Sequence, residues 1–419
     1  MLKNGEYQYS LIRELSFTRF GGTEKERMAA EILQKWIVDA GGKGAYMEFP
    51  IPVYSSEKCI VNAGEPMCRP VEAAAYRFSG NLTPAADLQL VYADDGAELD
   101  FLRLPTDGSR VALLVNELTP EVYRRICRYC PAAFLTISGK MTDDPSAVDL
   151  VGPTLKPELA TFGKIPGLCI RAVDAMQLVS GGVSTVQIEL VGKQGTGTSG
   201  NVLAVIPGEE KPEEALVLAA HYDSVSVGTG SWDNASGAAN LMFLYQYFLS
   251  HPPKRTMRFV WCGSEEQGLL GSQAYAAGNP NLLDAVKLCF NFDMCGTILG
   301  HNCIHVTGDD ELTHFVRQFC MERGFAAQID VHVHSSDSAT FADRGIPAIG
   351  ISRVTKNAEI HSRNDVIDTL SPVELERIGT FSKNMISRVA NAEMIPIQKK
   401  ISDAMKASLD QYFHRDVRL

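Results

Sequence analysis

Short apolar runs alternate with helical patterns through the second half of the chain. Runs with strand character lie at 203–206, 215–220, 257–262, 286–292, 304–306, 329–333 and 346–351. Apolar positions recur at helical spacing over 235–249, 268–277, 311–323 and 372–392. Strands that are apolar at every position, rather than at every second one, are buried on both faces. Their alternation with helices predicts an α/β architecture. In an open α/β sheet the ligand crevice lies beyond the carboxyl ends of the strands, so polar residues at those ends are the first place to look for function.

The first part of the chain reads differently. A helix is predicted over 23–40, opened by the capping-box pair Thr23 and Glu26, with Met28, Ile32, Leu33, Trp36 and Ile37 on one face and Gly41-Gly42 as its stop. An extended segment follows at 45–54. Between 58 and 194, short β-like runs at 88–92, 111–115, 133–137 and 186–191 surround one helical pattern at 120–130, and there is no histidine. The stretch 195–200 matches GxGxxG but leads into a strand rather than a helix, so it is read as a flexible connector and not a dinucleotide loop. Near the C-terminus, Ile401, Met405, Leu409 and Phe413 predict an amphipathic helix that packs on its own domain.

Composition narrows the function classes. The 419 residues suggest two or three domains at about 100–200 residues each. With 45% hydrophobic and 21% charged residues the chain is an ordinary globular protein, not a disordered one. A net charge of -11 argues against a nucleic-acid partner and against adhesion to an anionic membrane. No apolar run reaches the roughly 18 residues of a spanning helix, and no secretory leader is recognised, which gives a cytoplasmic expectation. The ten cysteines then read as reduced thiols. Cys127 and Cys130 have CxxC spacing without a second pair or nearby histidines, and read as two thiols on a short helix.

The strand ends carry unusual chemistry. The run at 215–220 ends in His221-Tyr222-Asp223. Asp233-Asn234 opens the helix at 235–249. The run at 257–262 ends in Ser264-Glu265-Glu266, and the run at 286–292 in Asp293-Met294. His361 and Asp365 follow the last strand. Buried carboxylates in such number do not ionise together without a cation between them. Imidazole and carboxylate donors suit Zn²⁺, and the supply exceeds what one tetrahedral catalytic zinc takes. It fits two metals sharing a carboxylate. Asp223 and Asp365, close in sequence to the histidines, are placed to accept the second ring N–H of each imidazole.

These residues resemble the M28 zinc aminopeptidases. The matching motifs are His221-Tyr222-Asp223, Asp233-Asn-Ala-Ser-Gly237, Glu265-Glu-Gln-Gly-Leu-Leu-Gly-Ser272, Asn291-Phe-Asp-Met-Cys-Gly296 and His361 to Asp365, in order over 201 to about 370. The resemblance implies an α/β fold with a mixed, mostly parallel central sheet and helices on both faces, of the zinc-exopeptidase (phosphorylase/hydrolase-like) type. It implies a discontinuous peptidase domain at 1–57 and 195–419. The segment 58–194 is similar to the mainly β protease-associated domain that some members carry as an insertion.

The implied activity is a di-zinc aminopeptidase that removes N-terminal residues from peptides through a hydroxide between two Zn²⁺ ions. Asp233 would bridge the metals, His221 and Asp293 would complete one site, and Glu266 and His361 the other. Glu265 would be the general base, supported by Asp223. The Asp233–Asn234 bond is a candidate for the cis form. Trp232, Met294 and Phe341, adjacent to motif residues, are candidate pocket walls. Two positions depart from the family: Ile360 stands where a tyrosine often precedes the last histidine, and Ser338 where a histidine is common. The first leaves the oxyanion donor unassigned. Dipeptidase or carboxypeptidase action, or a single-zinc acyltransferase like the glutaminyl cyclases, are the alternatives. A binding protein that has lost its ligands does not match the full set, and a serine hydrolase lacks its GxSxG elbow.

Overall fold

The structure, a computed structural model, describes residues 4–144, 146, 149–413 and 415. The chain divides into two units, Met1–Ile51 with Gly197–Leu419, and Pro52–Thr196. The strands that build the first unit are β1 (Gly44–Ala63), β2 (Thr185–Ile206), β3 (Lys211–His221), β4 (Arg255–Cys262), β5 (Val286–Phe292), β6 (His301–Thr307), β7 (Ala327–Val331) and β8 (Ala348–Val354). β1 and β2 contribute residues to both units. The order across the sheet is β7-β6-β8-β5-β3-β4-β2. The inner pairs β8–β5, β5–β3 and β3–β4 are parallel, while β6–β8 and β4–β2 are antiparallel.

The continuous apolar runs become a sheet covered on both sides. Along β3, Leu216, Leu218 and Ala220 enter one core and Ala215, Val217 and Ala219 another, the two-residue period of a strand. The first core also takes α1 (Asn4–Leu15), α2 (Glu24–Asp39), α3 (Ser236–Ser250), α5 (Asp310–Arg323) and α7 (Pro372–Ala390). The second takes α4 (Leu270–Gly278) and α6 (Ser338–Asp343). The last helix, α8 (Asp403–Tyr412), buries Met405 and Leu409 with Ile401 against Ala342 of α6.

Two local features differ from the sequence reading. Helix α1 is absent from the sequence reading, yet Leu11, Ile12 and Leu15 are fully buried and Gln8 donates to Asn240 Oδ1 of α3 at 2.8 Å. The 195–200 stretch is not a flexible connector but lies inside β2, which pairs with β1. Its glycine content serves close approach: a Cβ on Gly200 would lie 2.3 Å from the Tyr46 ring.

The second unit is described by its own ladder. Leu82–Tyr92, Val111–Leu114, Ala133–Ser138 and Gly167–Arg171 run parallel, with Ala73–Ala75 antiparallel at one edge and residues 185–190 of β2 antiparallel at the other. Helices Pro120–Tyr129 and Ala172–Ser180 accompany it.

Candidate metal centre

Three adjacent strands end at one edge. His221 is the last residue of β3 and pairs in register with Cys262, the last of β4. Asn291 of β5 pairs with Ala219, so Asp293 emerges beside His221. Beyond β4 the chain turns through Ser264 at φ 51°, which presents Glu265 and Glu266. Asp233 arrives from the segment before α3 and His361 from the loop after β8. Non-glycine residues in the left-handed region cluster here, with Met294 and His361 both at φ 57°. Such conformations persist where surrounding structure enforces them, and they gather at functional sites.

The side chains form two groups that share one carboxylate. Asp233 Oδ1 lies 3.2 Å from His221 Nε2, and Asp233 Oδ2 lies 3.2 Å from His361 Nε2. His221 Nε2 is also 3.4 Å from Asp293 Oδ1. His361 Nε2 is 3.1 Å from Glu266 Oε2. In each group, His221-Asp233-Asp293 and Asp233-Glu266-His361, one donor atom per residue lies within 4.8 Å of the others. Glu265 belongs to neither group, with Oε2 3.9 Å from His221 Nε2.

A supporting layer holds these groups in place. Asp223, fully buried, accepts the backbone N–H of Glu265 at 3.0 Å and of Glu266 at 3.2 Å. Asp365 accepts the N–H of Trp232 at 2.7 Å and of Asp233 at 3.0 Å. The expectation that both aspartates orient imidazoles is corrected for Asp365, whose two oxygens are taken up by the backbone of the Asp233 segment. Asp223 Oδ1 stands 3.4 Å from His221 Nδ1, which has no hydrogen-bond partner.

The Asp233–Asn234 bond is cis. Asn234 donates to Phe292 O at 2.8 Å and accepts from Met294 N at 3.1 Å, tying the Asp233 segment to the end of β5. Gly237 permits this approach, since a Cβ there would fall 2.2 Å from Phe292 O.

Two buried charges were missed in the sequence. Arg19 donates to the carbonyls of Tyr222 (2.6 Å), Phe17 (2.8 Å), Thr229 (2.6 Å), Gly230 (2.8 Å) and Leu15, clamping the loops that bear Asp223 and Asp233. Glu26 was legible only as a helix-start residue. Its carboxylate accepts from Gly22 N at 2.6 Å, Ser199 Oγ at 2.7 Å and Ser264 N at 3.0 Å, which fixes the turn before Glu265. Both act through contacts remote in sequence, and a lone Arg or Glu gives no signal of that.

The electrostatics are those of a cation site. Burial pushes Glu266 up to about 7, with the Asp233 charge adding to it. Burial also drives Glu265 well above the carboxylate range, reinforced by Glu266, Asp337 and Asp293. Burial opposes a charge on His221, but Glu265 and Asp293 outweigh it and raise its pKa. Hydrogen bonds to Asp233 and Glu266 raise His361 to about 10. For Asp233 burial is outweighed by the two histidines, which hold it below the ordinary range. Besides His221 Nδ1, the buried atoms Glu266 Oε1 and Asp293 Oδ1 have no hydrogen-bond partner. Orphaned acceptors at this density, facing imidazole nitrogens, fit divalent metal ions.

The expected pocket walls divide. Phe341 is fully buried and packs against Tyr275 with ring centres 6.2 Å apart, so it belongs to the core and not to a cleft. Trp232 is buried within the main core as well. Met294 is only partly buried and keeps an accessible flank beside Asp293. Ser338 is buried at the start of α6, and Ile360 packs partly against the main core.

Comparison with known proteins gives a common answer. Residues 201–386 match the model of peptidase family M28. Leucine aminopeptidase 2 of Arthroderma otae is 30% identical over 197 residues, which cover 43% of this chain and 40% of that protein. Aminopeptidase YwaD of Bacillus subtilis is 27% identical over 261 residues, covering 59% of this chain and 56% of that one. The match thus spans about two fifths of the length of the fungal relatives. Among solved structures, the zinc aminopeptidase BSAP from Bacillus subtilis superposes with a TM-score of 0.77 at 21% identity, over 96% of this chain and 98% of that one. The aminopeptidase from Aneurinibacillus sp. strain AM-1 gives 0.74 at 21% identity, over 95% and 96%. Both show the same fold.

Proposed function

We infer, from the peptidase family M28 domain at residues 201–386, that the protein is a di-zinc aminopeptidase acting on peptides. The observation that carries the two-metal reading is the Asp233 carboxylate, whose two oxygens each face a different histidine at 3.2 Å. His221, Asp233 and Asp293 would hold one Zn²⁺, and Asp233, Glu266 and His361 the other. When bound, such ions supply Lewis acidity toward a carbonyl and lower the pKa of water.

The chain's own residues supply the rest. Glu265 stands next to a ligand without being one, and its carboxylate takes a proton from the attacking water and returns it to the leaving amine. Asp223 holds Glu265 and Glu266 by their backbone N–H groups. Met294 lines the cleft. The acidic edge favours a free α-amine, hence attack at the N-terminal residue; the names of the relatives support the same direction. We read the unit Pro52–Thr196 as a protease-associated-like insertion, supported by its closing strand–helix pair Gly167–Arg171 and Ala172–Ser180. A cytoplasmic, reducing location is supported by ten cysteines that are all unpaired. Among the described residues no helix is long and apolar enough to cross a membrane.

A hydrolysis panel of aminoacyl, N-blocked aminoacyl, dipeptide and C-terminal substrates, run with and without a chelator, tests the reading. Chelator-sensitive cleavage of free-amine substrates is expected. Cleavage that survives metal removal, or that prefers N-blocked peptides, overturns it.

A further inference from the structure

Another set of metal-ligating side chains lies in the peptidase unit and is not used by the centre above. His305 sits on β6 opposite Asp330 of β7, and His332 and His334 continue the alternation just beyond that strand. One ring nitrogen from each of His305, His332 and His334 falls within 4.8 Å of the others. His305 Nε2 pairs with Ser352 Oγ at 3.0 Å, while its Nδ1 is buried without a partner. His334 Nε2 is likewise buried and unpartnered. Burial, reinforced by the two neighbouring histidines, lowers His305 to about 3, so its ring is neutral near pH 7 and has a lone pair to offer. Ser352 fixes one ring nitrogen and leaves the other free, the division of labour that an outer partner imposes on a ligating imidazole.

We propose that His305, His332 and His334 form a third ion site, separate from the two-metal centre, for a borderline divalent transition metal such as Zn²⁺, Ni²⁺ or Cu²⁺. Three imidazole donors select these ions over Ca²⁺ and Mg²⁺, which take oxygen. The rings of His305 and His334 stack with 3.9 Å between centres and 1° between planes. Two parallel rings do not aim their in-plane lone pairs at one ion, so binding turns His334 about its Cβ–Cγ bond. That rotation sacrifices no hydrogen bond at Nε2. His332 is exposed and stands edge-on to both rings, at 74° and 73°, free to close the third side.

The test loads the full chain with zinc, counts the zinc, then adds one equivalent of Cu²⁺, which displaces zinc from an all-imidazole site, and reads the electron paramagnetic resonance spectrum. Superhyperfine coupling to three nitrogens is expected, with at least a tenfold weaker Cu²⁺ affinity and no more than two coupled nitrogens in His332→Ala. His332 is exposed, so the variant should fold; zinc counted per chain by mass spectrometry, falling by one in that variant, provides the second readout. Coupling to fewer than three nitrogens in the wild type, or an unchanged spectrum and metal count in His332→Ala, overturns the proposal. Each ion of the proposed di-zinc centre has one imidazole, so a failure of that centre lowers the zinc count without abolishing the three-nitrogen signal.

Discussion

Asp223→Asn is the sharpest test of how the site is held. The carboxylate is fully buried and accepts two backbone N–H groups, from Glu265 at 3.0 Å and from Glu266 at 3.2 Å. Asparagine keeps the shape but has a single acceptor oxygen, and its NH₂ group must face one of the two N–H donors. One hydrogen bond to a charged acceptor is lost, worth about 1.5–3 kcal/mol, and one buried N–H is left without a partner. Together these give a destabilisation of ~2–4 kcal/mol, or roughly 30- to 1000-fold in the unfolding equilibrium. The turn bearing Glu266 is also released, so zinc affinity should weaken by about 10- to 100-fold, the range for losing an outer partner of a ligand. Urea unfolding of the chelated protein measures the first effect and competition against a chromophoric chelator the second. If Asp223→Asn unfolds within about 0.5 kcal/mol of the wild type and binds zinc equally well, the double-acceptor role is wrong.

Glu265→Ala should hold as much zinc as the wild type by mass spectrometry yet lose about 10²- to 10⁴-fold in kcat, the range for a general base; normal turnover by a metal-replete variant removes Glu265 from that role. Phe341→Ala should cost ~3–5 kcal/mol of stability while KM stays unchanged, since the ring is in the core; a raised KM without destabilisation would restore it to the cleft. The chelated protein should lose stability as pH rises. Glu266, raised to about 7, contributes a stabilisation that is full below its ordinary 4.5 and is lost as pH passes 7. His361, raised to about 10, contributes one that is full below 6.5 and is lost as pH passes 10. Zinc binding displaces those protons, so the gap between loaded and chelated protein should widen with pH. Urea midpoints from pH 5 to 9 check this, and a chelated protein that gains stability over that interval contradicts it.

The sequence by itself determined the α/β class and the set of residues at the strand ends. Short apolar runs alternating with helices fit a sheet covered on both faces, and a strand that runs into His221, Glu265 or Asp293 delivers that residue to the sheet's edge. The motifs also made Asp233, Glu266 and His361 legible in order. Tertiary structure decided what each residue touches. That Asp233 turns one oxygen to each histidine depends on Asp365 accepting its backbone N–H and on Asn234 tying the segment to Phe292, contacts made across 132 and 58 positions. Arg19 and Glu26 hold the site from a segment whose only sequence signal was a helix start. Phe341 stands three residues from the start of α6 and looked like a wall by adjacency, but its direction along that short helix puts it into the core. Period and spacing are local properties that survive in one dimension. Which buried donor meets which buried acceptor is settled only when distant segments close on one another, because the penalty for an unpaired buried group falls on whichever partner the fold brings near.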